Sequence, residues 1–157
     1  FDCFVVPTVP ALKQQQDTIA TLVELAQIGV PASRMKIVFN MVEDGTDVAR
    51  AFDTLLAFVA ERPIAQADMR CCLGDNEIYE RVKGAGVDIA ALARDSTDYK
   101  ALIGKARSTE DKLALAQKLA TSRLASGVLP ELDACFAALG LTASADAIAR
   151  SAPSALA

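Results

Sequence analysis

The sequence predicts an α/β fold with an incomplete parallel sheet and a helical C-terminal end. Three observations carry this expectation. Runs rich in β-branched and aromatic residues recur at 3–6, 36–39 and 67–73. Each is followed by apolar residues at helical spacing, the order that right-handed βαβ units produce. From about residue 98 onward the pattern is helical only. With 157 residues, 52% of them hydrophobic, the chain has the size of one ordinary domain with a core.

The elements follow in order. Residues 3–6 are continuously apolar and stop at Pro7, as in a strand covered on both faces. Only about three strands are legible, against roughly five or six in the mean sheet. The expectation is therefore that the upstream half of this domain, with further strands, precedes residue 1. Leu12, Ile19, Leu22, Val23, Leu25 and Ile28 mark an amphipathic helix stopped by Gly29 and Pro31. Gln14-Gln15-Gln16 reads as a solvated turn of that helix, with partner contact as the rarer reading. Residues 36–39 make the second strand, closing at Asn40. Val48, Phe52, Leu55, Leu56 and Val59 mark a second helix ending before Pro63. The third strand, 67–73, is interrupted by Asp68 and Arg70. Asp75 or Asn76 caps a helix carrying Ile78, Tyr79 and Val82, which ends at Gly84 and Gly86. Residues 99–106, 113–124 and 132–139 follow as helices, with Ser108 and Asp111 as a capping box. Residues 1–95 thus form the α/β part and 96–141 a helical extension packed on or beside it. Residues 142–157 are an Ala/Ser-rich tail expected to be flexible.

Composition excludes several chemistries. The chain has no histidine, which removes Ser-His-Asp and Cys-His catalysis and every His-containing metal site. Its net charge of −4 argues against strong direct binding of nucleic acid or anionic lipid. No apolar run approaches the roughly 18 residues of a membrane span. Cys3, Cys71, Cys72 and Cys135 lack CxxC spacing, which predicts free thiols in a reducing, cytoplasmic setting.

The motifs are few. Gly104-Lys105-Ala106 is not a P-loop, because the loop's other glycine position is Tyr99 and its hydroxyl position is Ala106. Gly84-Ala85-Gly86 neither follows a strand nor opens a helix, so it is a helix stop rather than a dinucleotide fingerprint. Cys71 and Cys72, as neighbours in a strand, point to opposite faces and cannot jointly grip a metal. Asp75, Glu77 and Glu80 are explained by the helix macrodipole without magnesium. Lys105, Arg107, Lys112, Lys118 and Arg123 alternate with acids as a solvated surface. Leu132, Phe136 and Leu139 either cap the core or join another chain. Asn40 stands where open α/β sheets place ligands, and its carboxamide matches the N6/N7 edge of adenine. Spacing alone favours the plainer reading that asparagine suits strand ends. Pro7 fixes the backbone after the first strand, and Thr8 beside it is a candidate ligand-facing hydroxyl.

The string FDCFVVPTVPALKQQQDTIATLVELAQIGVPASRMKIVFNMVE resembles the later half of a ParA/MinD-type P-loop ATPase. More narrowly it is similar to plasmid stability proteins of the StbB type. The shared features are an aspartate-led strand ending in Val-Pro, a helix leading to Gly-Val-Pro, and a strand ending in Phe-Asn. GDNEIYERVKGAGVDIAAL, STDY and LDACFAALG continue the likeness, which covers roughly residues 1–141. The resemblance implies a Rossmann-like P-loop NTPase that uses ATP and Mg2+, forms a homodimer, and works with a plasmid-encoded DNA-binding adaptor in plasmid partition or transfer. It places Asn40 at the adenine-contacting strand end, with Pro7 and Thr8 beside it. It gives Asp2 no chemical role. The family's lysine-containing phosphate loop and switch aspartates have no counterpart in these residues, so this chain alone is expected not to hydrolyse ATP.

Overall fold

The computed structural model describes residues 3–141, so the tail expected at 142–157 lies outside the described residues. Three parallel strands, β1 (Phe4–Thr8), β2 (Met35–Val42) and β3 (Gln66–Gly74), pair in the order β1-β2-β3. Helices α1 (Leu12–Gln27), α2 (Val48–Ala51) and α3 (Asp53–Glu61) occupy the crossovers. Then come α4 (Glu77–Val82), α5 (Ile89–Ala93), α6 (Tyr99–Lys105) and the long α7 (Thr109–Leu139). The protein is α/β with a parallel sheet and a helical C-terminal end, as the periodicity predicts.

One face of the sheet carries the main core. Met35, Ile37 and Phe39 alternate along β2 and pack, fully buried, against Leu22 of α1 and Leu55 of α3. Phe52 stacks its ring on Phe39 at 4.8 Å between centroids, tilted by 57°. The opposite face is thinner. There Val38 and Cys71 meet Cys135 and Leu139 of α7. Along α7 the inward residues Ala125, Val128, Cys135 and Leu139 fall three, seven and four positions apart, the spacing of one helical face.

Several expectations need correction. The first strand is not covered on both faces: Val5 is 43% exposed, while Thr8 on the α1 side is 2% exposed. Among the described residues β1 pairs with β2 alone. Gln15 does not belong to a solvated turn. It is 2% exposed. Its Nε2 donates to the carbonyls of Pro10 at 2.7 Å and Ala51 at 2.9 Å, and its Oε1 accepts the Leu55 N–H at 3.2 Å. Ala51 carbonyl and Leu55 amide are the partners of one ordinary helical bond. Gln15 inserts its amide between them, which is why the single expected helix divides into α2 and α3 at Phe52.

The helices expected at 113–124 and 132–139 are instead one helix that runs through Pro130. Proline there removes one N–H, yet contacts on both sides of it hold the segment helical. Ser122 and Ser126 donate to the carbonyls of Leu92 and Ala93 at the end of α5, and Cys135 and Leu139 pack on the sheet. Local punctuation is as expected elsewhere. Asn76 Oδ1 accepts the Ile78 N–H, and Ser108 Oγ accepts the Asp111 N–H. No helix among the described residues is long and apolar enough to cross a membrane.

Candidate functional site

The carboxyl ends of β1 and β2 frame a cleft of about 460 Å³. Pro7, Thr8 and Asn40 all line it, together with Gln14, Asp17 and Thr18 on the flank of α1. The three residues expected from the sequence are thus brought together by the register, in which Pro7 pairs with Val38 and Thr8 with Phe39. Asn40 follows directly. Strand ends of an open parallel sheet are where the backbone opens to admit a ligand.

Asn40 is aimed by a bulge. Phe39 pairs with Cys72 and Val42 with Gly74, so Asn40 and Met41 together stand opposite Leu73. Met41 adopts φ of 55°, the left-handed region, and is 52% exposed. Bulges bend a strand and redirect the side chain beside them. A left-handed methionine costs about 1–2 kcal/mol, which the surrounding packing offsets. The bulge also restores the strand's alternation, since Val42 rejoins the same core as Phe39.

Thr8 supplies the second feature. Its Oγ1 is buried without a hydrogen-bond partner. A buried hydroxyl in that state costs about 1–3 kcal/mol, a penalty that a ligand atom would remove. The neighbouring hydroxyls of Thr18 and Thr21 are already engaged, donating to the carbonyls of Gln14 and Asp17. Asp17 is paired with Lys13 at 2.8 Å.

On the other face of β1, a groove of about 320 Å³ runs between the strand and α7. Val5, Leu73, Leu132 and Phe136 line it, and Pro7 and Asn40 form the rim it shares with the first cleft. Phe136 is 52% exposed there. A further hollow of about 300 Å³, bordered by Lys36, Asp68 and Cys71, opens at the amino end of β3, away from the strand ends that receive ligands.

The remaining sequence candidates do not converge on chemistry. Cys71 and Cys72 point to opposite faces, Cys71 toward Cys135 and Cys72 toward the main core. Burial raises the Cys71 thiol, and burial first and Cys71 second push Cys135 up to about 11. Both are poor nucleophiles in that state. Glu77 pairs with Arg81 and Glu80 with Lys83 along α4, the arrangement of a solvated helix. Among the described residues no group of three or more acidic or cysteine side chains is placed to hold a metal. The interruption at Asp68 and Arg70 is a local excursion of β3. Asp68–Cys71 stand against Val38 alone. Asp68 Oδ1 accepts the Arg70 N–H at 2.9 Å, and the Arg70 guanidinium lowers the Asp68 carboxyl to about 2.

Sequence reasoning misses Met41 and Glu131. Glu131 on α7 accepts the Gly74 N–H at 2.7 Å, at the end of β3. An isolated Pro-Glu in a helical segment carries no signal for a contact across so long a stretch of chain. Comparison of the chain with protein-family models, curated proteins and solved structures finds no match.

Proposed function

We propose that this chain is the C-terminal portion of a ParA/MinD-like, plasmid-stability ATPase and supplies the base-binding side of its nucleotide site. The observation that carries this reading is the cleft where Asn40 lies beside the buried, unpartnered hydroxyl of Thr8. The Asn40 carboxamide both donates and accepts, as the N6/N7 edge of adenine requires. Pro7 offers apolar surface next to it. Among the described residues lining the cleft there is no lysine or arginine, and its one carboxylate is already paired. That lining suits a base and ribose rather than a triphosphate. In this reading an upstream lysine-containing loop holds the phosphates and Mg2+, which supply the hydrolytic chemistry.

The activity of the complete, cytoplasmic protein would be ATP-dependent homodimerisation and exchange of a plasmid-encoded DNA-binding adaptor, in segregation or transfer. The net charge of −4 supports DNA contact through the adaptor rather than through this chain. A second reading, a non-enzymatic interaction module, is favoured by the apolar groove between β1 and α7. The upstream coding sequence separates the two. A glycine-rich loop with Gly-Lys-Thr or Gly-Lys-Ser, together with ATP hydrolysis by the purified complete protein, supports the ATPase. An open reading frame that starts at residue 1, with no ATP binding by its product, leaves the module.

A further inference from the structure

Glu131 is a charged side chain set into the thin side of the sheet. Its Oε1 accepts the N–H of Gly74, the last residue of β3, at 2.7 Å. Its Oε2 crosses the Gly74 Cα closely, since a Cβ there would stand 3.2 Å from it and 3.5 Å from the Val42 carbonyl. Glycine at position 74 lets the carboxylate reach the strand. The next amide, Asp75 N–H, donates to the Val42 carbonyl at 3.1 Å. Val42 closes the bulge that contains Met41 and Asn40. A continuous path of two hydrogen bonds therefore links α7 to the segment that aims Asn40.

A packing role alone does not explain a carboxylate here. Its neighbours include Cys72, Cys135 and Tyr79, whose hydroxyl is buried without a hydrogen-bond partner. Glu131 is half-buried, and an aliphatic residue would fill the same space without a charge to solvate. What the carboxylate adds is a charge-assisted bond with a fixed direction onto one backbone amide.

We propose that Glu131 is a positioning residue for Asn40: α7 sets the bulge at the end of β2 through Gly74 and Asp75. The proposal rests on the nucleotide reading only for its functional consequence. Displacing α7 would lower affinity at the cleft, and a ligand at the cleft would hold α7 in place, because coupling is reciprocal.

The test uses Glu131→Ala, which removes the acceptor, and Glu131→Gln, whose amide oxygen still accepts from Gly74. Val128→Ala, one helical turn away and packed on Ile78 rather than on β3, controls for loss of stability. Gly74→Ala, whose Cβ would crowd the Glu131 carboxylate at 3.2 Å, is a second variant that should move the same signals by a smaller amount if Glu131→Ala does not fold. The readouts are NMR shifts of the Gly74, Met41 and Asn40 signals, including the Asn40 side-chain amide, and ATP affinity of the complete protein. Glu131→Ala should move all three sets of signals and weaken ATP binding about tenfold, a shift of about 1.4 kcal/mol. Glu131→Gln should restore both to near wild type, and Val128→Ala should disturb neither. If Glu131→Ala moves Gly74 but leaves Asn40 and Met41 unchanged, the proposal is overturned. If the Asn40 signals move while the wild-type complete protein binds no ATP, positioning stands and the nucleotide reading fails.

Discussion

The two faces of the sheet are built differently. Toward α1 and α3, Met35, Ile37 and Phe39 are fully buried and share one continuous cluster with Leu22, Phe52 and Leu55. Toward α7, Val38 and Cys71 meet Cys135 and Leu139 in a smaller cluster flanked by Leu73, Ala138 and Leu141, and the groove beside them leaves Val5 and Phe136 exposed. Buried apolar area drives folding, so the first face holds the structure together. The second face holds α7 through a smaller buried cluster and the Glu131–Gly74 bond. The candidate cleft lies at the strand ends on the α1 side, next to the stable core, while the α7 face carries the apolar groove and the Glu131 contact.

Adjacent residues of β2 test this contrast most severely. Phe39→Ala should cost about 3–5 kcal/mol, the range for an aromatic ring lost from a packed core. Val38→Ala, on the other face, should cost about 1–2 kcal/mol. Urea unfolding of both variants checks the order, and a reversal would mean that the α7 face carries the fold. Gln15→Ala comes next, at about 2–3 kcal/mol, because two carbonyls and the Leu55 amide lose their partner together. An effect below about 0.5 kcal/mol would mean that a regular helix re-forms across Phe52 without strain.

Alkaline pH should weaken the α7 face selectively. Burial raises Cys135 from an ordinary 9.0 to about 11, so the folded protein holds that thiol proton more tightly than the unfolded chain. The resulting stability is full below about pH 9 and is lost as pH rises toward about 11. Melting curves across that window should fall more steeply for wild type than for Cys135→Ala. Parallel slopes would remove Cys135 from the explanation. The smallest effect belongs to Phe136→Ser, which should change stability by less than about 0.5 kcal/mol because the ring is half exposed. A larger loss in urea titration would show that Phe136 belongs to the core of this chain.

Much of this architecture can be read from the sequence because it rests on local signals. The β-branched runs, the 3.6-residue periodicity, Asn76 and Ser108 as caps, and the glycines after α4 all declare themselves within a few positions. Asn40, Pro7 and Thr8 are legible as strand-end residues, and the parallel register brings them to one cleft. What escapes is long-range. Nothing near Gln15 shows that its amide enters a helix at Ala51 and Leu55, so three glutamines in a row read as solvent-facing. Ser126-Gly127 and Pro130 argue locally for a break, yet packing on α5 and the sheet keeps α7 continuous. The left-handed Met41 leaves no trace either, since methionine is an ordinary residue in an apolar strand.

Titration of ATP into the complete protein, wild type against Asn40→Ala, is the most direct test of the cleft at the ends of β1 and β2 as the base site. A lost bidentate contact of this kind is worth about 1–3 kcal/mol, or roughly 5- to 150-fold in affinity. The prediction is a loss in that range with unchanged urea unfolding, because Asn40 is half-buried at the strand end and outside the main core. Equal ATP affinity in the two proteins would contradict the assignment.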